Sequence, residues 1–191
     1  ILAGQPPKSD IKMAEEPNQD PVMQPEQEAG AQFLIQKLYS KDVSFEVPNA
    51  PQIFQENGQA EVKMSLAQRV NELGDNTHEV VLTITVTATI GEKTAYLVEV
   101  AQAGIFQITG FHEQATHAVM NTLCPTTLFP YARQAISSLV AEGGFPPLVL
   151  QPVNFDQLYA QRMQQLMQEQ GQGQDAAGDT DGVDGGQPTN D

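Results

Sequence analysis

The sequence predicts an α+β domain: a four-stranded antiparallel sheet with two helices packed on one face. Three observations predict it. Apolar and polar residues alternate with period two in segments spread over residues 33–110. Apolar residues recur at helical spacing in two segments beyond residue 125. The strand-like segments all precede the helical ones, and that order groups the helices on one side of an antiparallel sheet.

The first strand spans 33–47, where Val43, Phe45 and Val47 alternate with Asp42, Ser44 and Glu46. Pro48-Asn49-Ala50-Pro51 ends it, because proline removes a ladder donor, and Ile53 and Phe54 follow in a loop. The second strand covers 61–66, with Val62, Met64 and Leu66 set against Glu61, Lys63 and Ser65. The third, 79–90, alternates most clearly: Val80, Leu82, Ile84, Val86, Ala88 and Ile90 share one face, and Val81 with four threonines shares the other. Gly91-Glu92 makes a hairpin turn into the fourth strand, 93–100. There Tyr96, Val98 and Val100 oppose Ala95, Leu97 and Glu99, and 102–110 continues the strand through a bend near Gly104.

The first helix is expected to start where Pro125 and Pro130 stand, since proline fits a first turn and breaks a helix interior. Leu128, Ala132, Ala135 and Leu139 form one stripe on it, and Phe129, Ile136 and Val140 a second. A helix apolar on two sides is expected to be covered on both, for example by its own sheet and by another subunit. Gly143-Gly144 ends it. The second helix begins at Asn154, an N-cap with Gln157 three residues on, and carries Phe155, Leu158, Tyr159, Leu166 and Met167.

Charge adds a domain plan. The chain has 9 Lys+Arg against 24 Asp+Glu, a net charge of −15, which argues against a nucleic-acid footprint. Ten of the fifteen net negative charges fall in two biased ends. Residues 1–31 are rich in Pro, Gln and acids, and 168–191 repeat Gly, Gln and Asp. Both are expected to be disordered, because neither can bury enough apolar surface to offset ordering entropy. The folded domain is then 32–167. No run of eighteen apolar residues and no basic-then-apolar leader is present, and Cys124 is the single cysteine. A cytosolic setting is the expectation.

Catalytic motifs are weak. His112 and His117 are five residues apart, which does not stack them on one helical turn, so capping or packing is expected of both, with no metal and no cofactor. Cys124 is expected to be a buried structural thiol rather than a nucleophile. The stronger signal is apolar residues without an obvious cover: Ile53 and Phe54 after the first strand, and Phe145, Leu148, Val149 and Leu150 before the second helix. An apolar groove fringed by strand edges suits an extended polypeptide.

Three motifs then carry a resemblance. Tyr39-Ser40-Lys41-Asp42-Val43-Ser44-Phe45-Glu46-Val47-Pro48-Asn49-Ala50-Pro51, Leu128-Phe129-Pro130-Tyr131-Ala132-Arg133 and Pro152-Val153-Asn154-Phe155-Asp156 resemble the SecB export-chaperone family, in order, across about 33–165. The resemblance implies a homotetramer built as a dimer of dimers, with long helices between the dimers. It implies binding of unfolded secretory precursors without ATP, and delivery to the SecA motor. It places SecA contacts at Asp42, Glu46, Leu97 and Glu99. It places the client groove near Ile53, Phe54, Phe155 and Leu158, to which the apolar pattern adds Phe106 and Phe145. Two rivals remain open: a carrier of small apolar ligands or lipid, and a toxin–antitoxin-associated chaperone of the same fold.

Overall fold

In the computed structural model, which describes residues 30–175, four strands form one antiparallel sheet in the order β1-β4-β3-β2. They are β1 (Gln32–Glu46), β2 (Glu61–Gly74), β3 (Thr77–Ile90) and β4 (Lys93–Thr109). A short 3₁₀ turn, Gln52–Gln55, follows β1. The helices are α1 (Glu113–Asn121), α2 (Leu123–Glu142) and α3 (Phe155–Asp175). The α+β order is therefore as expected, with three helices rather than two. The ends expected to be disordered lie outside the described residues, apart from 30–31 and 168–175. α3 runs past the boundary that composition suggests at 167, as its Gln- and Glu-rich turns permit.

Two strands are longer than their alternation. β2 extends to Gly74, and Asp75 and Asn76 turn the chain directly into β3 with φ of 50° and 57°. Asp and Asn tolerate this left-handed backbone, and it matches the twist of a two-residue hairpin. The pattern breaks after Leu66 because Gln68, a polar residue, occupies the helix-facing side; its amide donates to the Met120 carbonyl of α1 at 2.9 Å. β4 is one continuous strand through Gly104. A side chain there would overlap the Phe106 ring, with the nearest atom 2.6 Å from a built Cβ, so glycine permits the close approach.

The core lies between sheet and helices. Val80, Leu82, Ile84 and Val86 of β3 and Val98, Val100 and Phe106 of β4 are buried under Leu128, Ala132, Ile136 and Val140 of α2. Removing one of the larger of these, as in Ile136→Ala, costs about 2–5 kcal/mol in a close-packed core. α2 begins at Leu123, earlier than expected, so Pro125 occupies its first turn and Pro130 lies inside it. An interior proline removes one N–H and frees one carbonyl. Local side-chain bonds brace this region: Thr126 and Thr127 hydroxyls donate to the carbonyls of Thr122 and Leu123 at 2.7 and 2.8 Å. Both stripes expected on α2 turn into the core of this chain, with Ala135 and Leu139 half-buried at its edge, and outside the stripes Leu123 and Tyr131 are exposed.

Candidate functional site

The sheet has two faces, and the candidate residues divide between them. Cross-strand partners in an antiparallel sheet share a face. On the helical side, β2 runs beyond the cover of α2, and α1 and α3 close over part of it. The result is an open groove of about 360 Å³ between Leu66 and Val70 of β2, His117 of α1, and Phe155, Leu158 and Met163 of α3. Asn154 holds the start of α3: its side-chain oxygen accepts from the Gln157 N–H at 2.9 Å, as its N-cap position predicts. Phe155 is buried and meets Phe129 edge-to-face at 5.9 Å, which anchors α3 to α2. Leu158 is exposed at 44% and faces the groove. On α1, His117 Nδ1 and the Tyr159 hydroxyl share a 2.9 Å hydrogen bond that ties α1 to α3 across the groove.

A second apolar patch forms where the loop after β1 meets the end of α2. Phe54, Phe145, Tyr96 and Phe45 pack in a row, with ring centroids 5.2, 4.9 and 6.0 Å apart; the first two pairs are tilted and the last is stacked. Gly143 makes this possible, because a Cβ there would lie 2.2 Å from the Phe45 ring. Phe54 is the open end of the row, 52% exposed. Ile53 points the other way and is buried, so it fastens the loop to the core rather than lining a surface. The side chain of Lys93 pairs with Glu56, and Asn49 Nδ2 donates to the Thr94 carbonyl at 2.9 Å; both pin the loop to the β3–β4 hairpin.

Phe106 corrects the expected groove set. It is fully buried and stacks on Phe33 at 5.4 Å, in the interior between sheet and helices. The ring that covers it belongs to Phe33 of β1, which local sequence around Phe106 does not reveal. The exposed groove candidates are therefore Phe54 and Leu158, with Phe145 and Phe155 packed behind them.

The other face of the sheet carries no helix. Asp42, Glu46, Leu97 and Glu99 fall on it together. Three successive cross-strand rows hold them: Asp42 opposite Ala101, Ser44 opposite Glu99, and Glu46 opposite Leu97. β3 extends the rows with Thr83, Thr85 and Thr87. Asp42 and Glu46 are exposed, and the Thr85 hydroxyl donates to Glu99 at 2.6 Å, which holds that carboxylate upright on the sheet. A depression of about 320 Å³ runs between Asp42 and Glu99, floored by Val81, Thr83 and Ala101.

The residues considered for chemistry have structural tasks. His112 Nδ1 accepts from the Ala115 N–H at 3.2 Å and caps α1, a helix whose signal in sequence was only Ala115, Ala118 and Val119 at helical spacing. Cys124 is fully buried, and desolvation pushes its thiol up to about 12, the wrong direction for a nucleophile. Among the described residues, no group of three or more His, Cys, Asp or Glu side chains is placed to hold a metal ion. No described helix is long and apolar enough to cross a membrane.

An open groove with apolar walls on one side of a sheet, and on the other a bare face that carries Asp42, Glu46 and Glu99 on its β1–β4 side, define an α+β protein-binding module. Residues 26–166 match the family described as preprotein translocase subunit SecB. The protein-export protein SecB of Nitrosococcus oceani is 51% identical over 142 residues, covering 73% of this chain and 87% of that protein. That of Methylococcus capsulatus is 50% identical over 143 residues, covering 75% and 92%. The chain belongs to the SecB family of protein-export chaperones. Among solved structures, a SecB-like chaperone of Mycobacterium tuberculosis, in complex with a peptide from the HigA1 antitoxin, shares the fold. Its TM-score is 0.55 at 16% identity, over 64% of this chain and 91% of that one.

Proposed function

We propose that this chaperone is a holdase without catalytic activity that works in the cytoplasm. It binds unfolded secretory precursors in its apolar grooves, keeps them competent for translocation and hands them to the SecA motor. The observation that carries this reading is the separation of two surfaces by one sheet. Apolar side chains line the helical side, and Asp42, Glu46, Leu97 and Glu99 share the bare side. A client in the groove leaves Asp42, Glu46 and Glu99 free for a basic partner element, whose affinity falls as salt rises.

Clients expose apolar segments, and burying them contributes roughly 25 cal/mol per Å². One groove therefore holds weakly, and several grooves on one assembly hold a long chain by avidity. The assembly is a homotetramer, a dimer of dimers. The exposed Leu123 and Tyr131 on the outer side of α2 support a second cover for that helix. Glu99→Lys tests the division of surfaces. Titration with purified SecA loses affinity, while binding of an unfolded precursor is unchanged. Equal SecA affinity in the variant rejects the docking face.

A further inference from the structure

The bare face of the sheet holds a polar cluster that neither groove nor docking residues account for. Glu79 of β3 is only 7% exposed. Its carboxylate accepts from Lys41 Nζ at 2.6 and 2.8 Å, from Asn71 Nδ2 at 2.6 Å, and from the Tyr39 hydroxyl. The donors come from β1 and β2, so the cluster spans the whole sheet. The β1 side chains reach Glu79 across β4, where Ala101 and Ala103 leave room. A buried carboxylate is costly unless its lone pairs are matched, and here three side chains match them.

Lys41 occupies a special position. The β1–β4 register passes from Ser40 opposite Gln102 to Asp42 opposite Ala101, so Lys41 is the extra residue of a β-bulge. Tyr39, opposite Ala103, already lies on the bare face. Strict alternation from Tyr39 would put Lys41, Val43 and Phe45 on that face and turn Asp42, Ser44 and Glu46 toward the helices. The bulge reverses the phase. It sends Phe45 inward to Tyr96 and sends both acids outward beside Glu99.

We infer that Lys41 and Glu79, braced by Tyr39 and Asn71, form a register lock that holds the bulge in β1 and thereby positions Asp42 and Glu46 for SecA docking. The inference rests on the docking reading above. Hydrogen bonds from Lys41, Tyr39 and Asn71 hold the Glu79 carboxyl down at about 2, so the lock stays engaged at neutral and mildly acidic pH. Phe45 on Tyr96 supports the same register, so loss of the lock loosens the strand rather than inverting it.

Lys41→Met separates this role from simple charge. Removing a cation beside an acidic face tightens a basic partner if charge alone matters. The lock predicts the opposite sign. The experiment titrates SecA and, separately, an unfolded precursor against the full chain, Lys41→Met, Lys41→Arg, Glu79→Gln and Glu99→Lys, with amide hydrogen exchange on each. Lys41→Met and Glu79→Gln are expected to weaken SecA binding roughly fivefold, as coupled network partners do. They speed exchange at residues 41–46, leave exchange in β3 and precursor affinity unchanged, and Lys41→Arg restores most of the loss. Unchanged or tighter SecA binding in Lys41→Met, with Glu99→Lys still weakened, overturns the lock and leaves the docking face standing. No effect of Glu99→Lys removes the docking face and the lock with it. Lys41 is exposed, so its variants carry the test even if Glu79→Gln fails to fold.

Discussion

Replacing Phe54 with alanine separates client binding from folding. A phenylalanine side chain presents about 150–250 Å² in total. Phe54 is 52% exposed, so about 100 Å² of ring is open to a client, worth about 2.5 kcal/mol when buried. Ordering the client offsets part of this, and the expected loss at one site is roughly tenfold to fiftyfold in affinity. The structural cost is smaller. The ring's other half rests on Phe145 at 5.2 Å, a contact worth about 1 kcal/mol. Phe106→Ala, at a fully buried site, costs about 3–5 kcal/mol instead and serves as the contrasting variant. The assay is a titration of a fluorescent unfolded precursor alongside thermal unfolding. A Phe54→Ala protein of near-parent stability that binds the precursor within twofold of the parent would refute the assignment.

Two further predictions concern buried ionisable groups. The folded state lowers the Glu79 carboxyl from 4.5 to about 2, so its stabilising contribution is complete above pH 4.5 and is lost as pH falls toward 2. The thermal midpoint of the parent should therefore drop more steeply across that window than that of Glu79→Gln, at matched salt; parallel curves would contradict the buried network. Cys124 should resist alkylation by iodoacetamide in the folded protein and react after denaturation, and Cys124→Ala should bind precursor like the parent. Rapid native labelling would show the thiol to be accessible.

The sheet was legible where one face is uniformly apolar. Val80 through Ala88 and Tyr96 through Val100 mark β3 and β4 because their inward side chains are all buried in the core. The second half of β2 was hidden, since Gln68 satisfies its amide on α1 and interrupts the alternation. α1 gives little signal because its cap is a histidine ring rather than a hydroxyl or amide, and over nine residues only Val119 and Met120 pack large side chains against the core. α2 starts earlier than its prolines suggest, because Pro130 sits inside the helix rather than at its boundary. Of the proposed binding residues, the four on the bare face share it by alternation in β1 and β4, and their docking role comes from the resemblance. The burial of Phe106 is not legible locally, because its cover comes from a distant strand. Glu79 escaped notice because a single acid in an alternating strand looks solvated until its partners from β1 and β2 are in place.

A multivalent holdase carries unfolded polypeptide and ignores the same polypeptide once folded. Size-exclusion chromatography with light scattering, run with and without an unfolded secretory precursor, tests it directly. The expected result is a mass near four protomers of 20.7 kDa, and co-elution with the unfolded precursor but not with its folded form. A monomer that elutes apart from the unfolded precursor would contradict it.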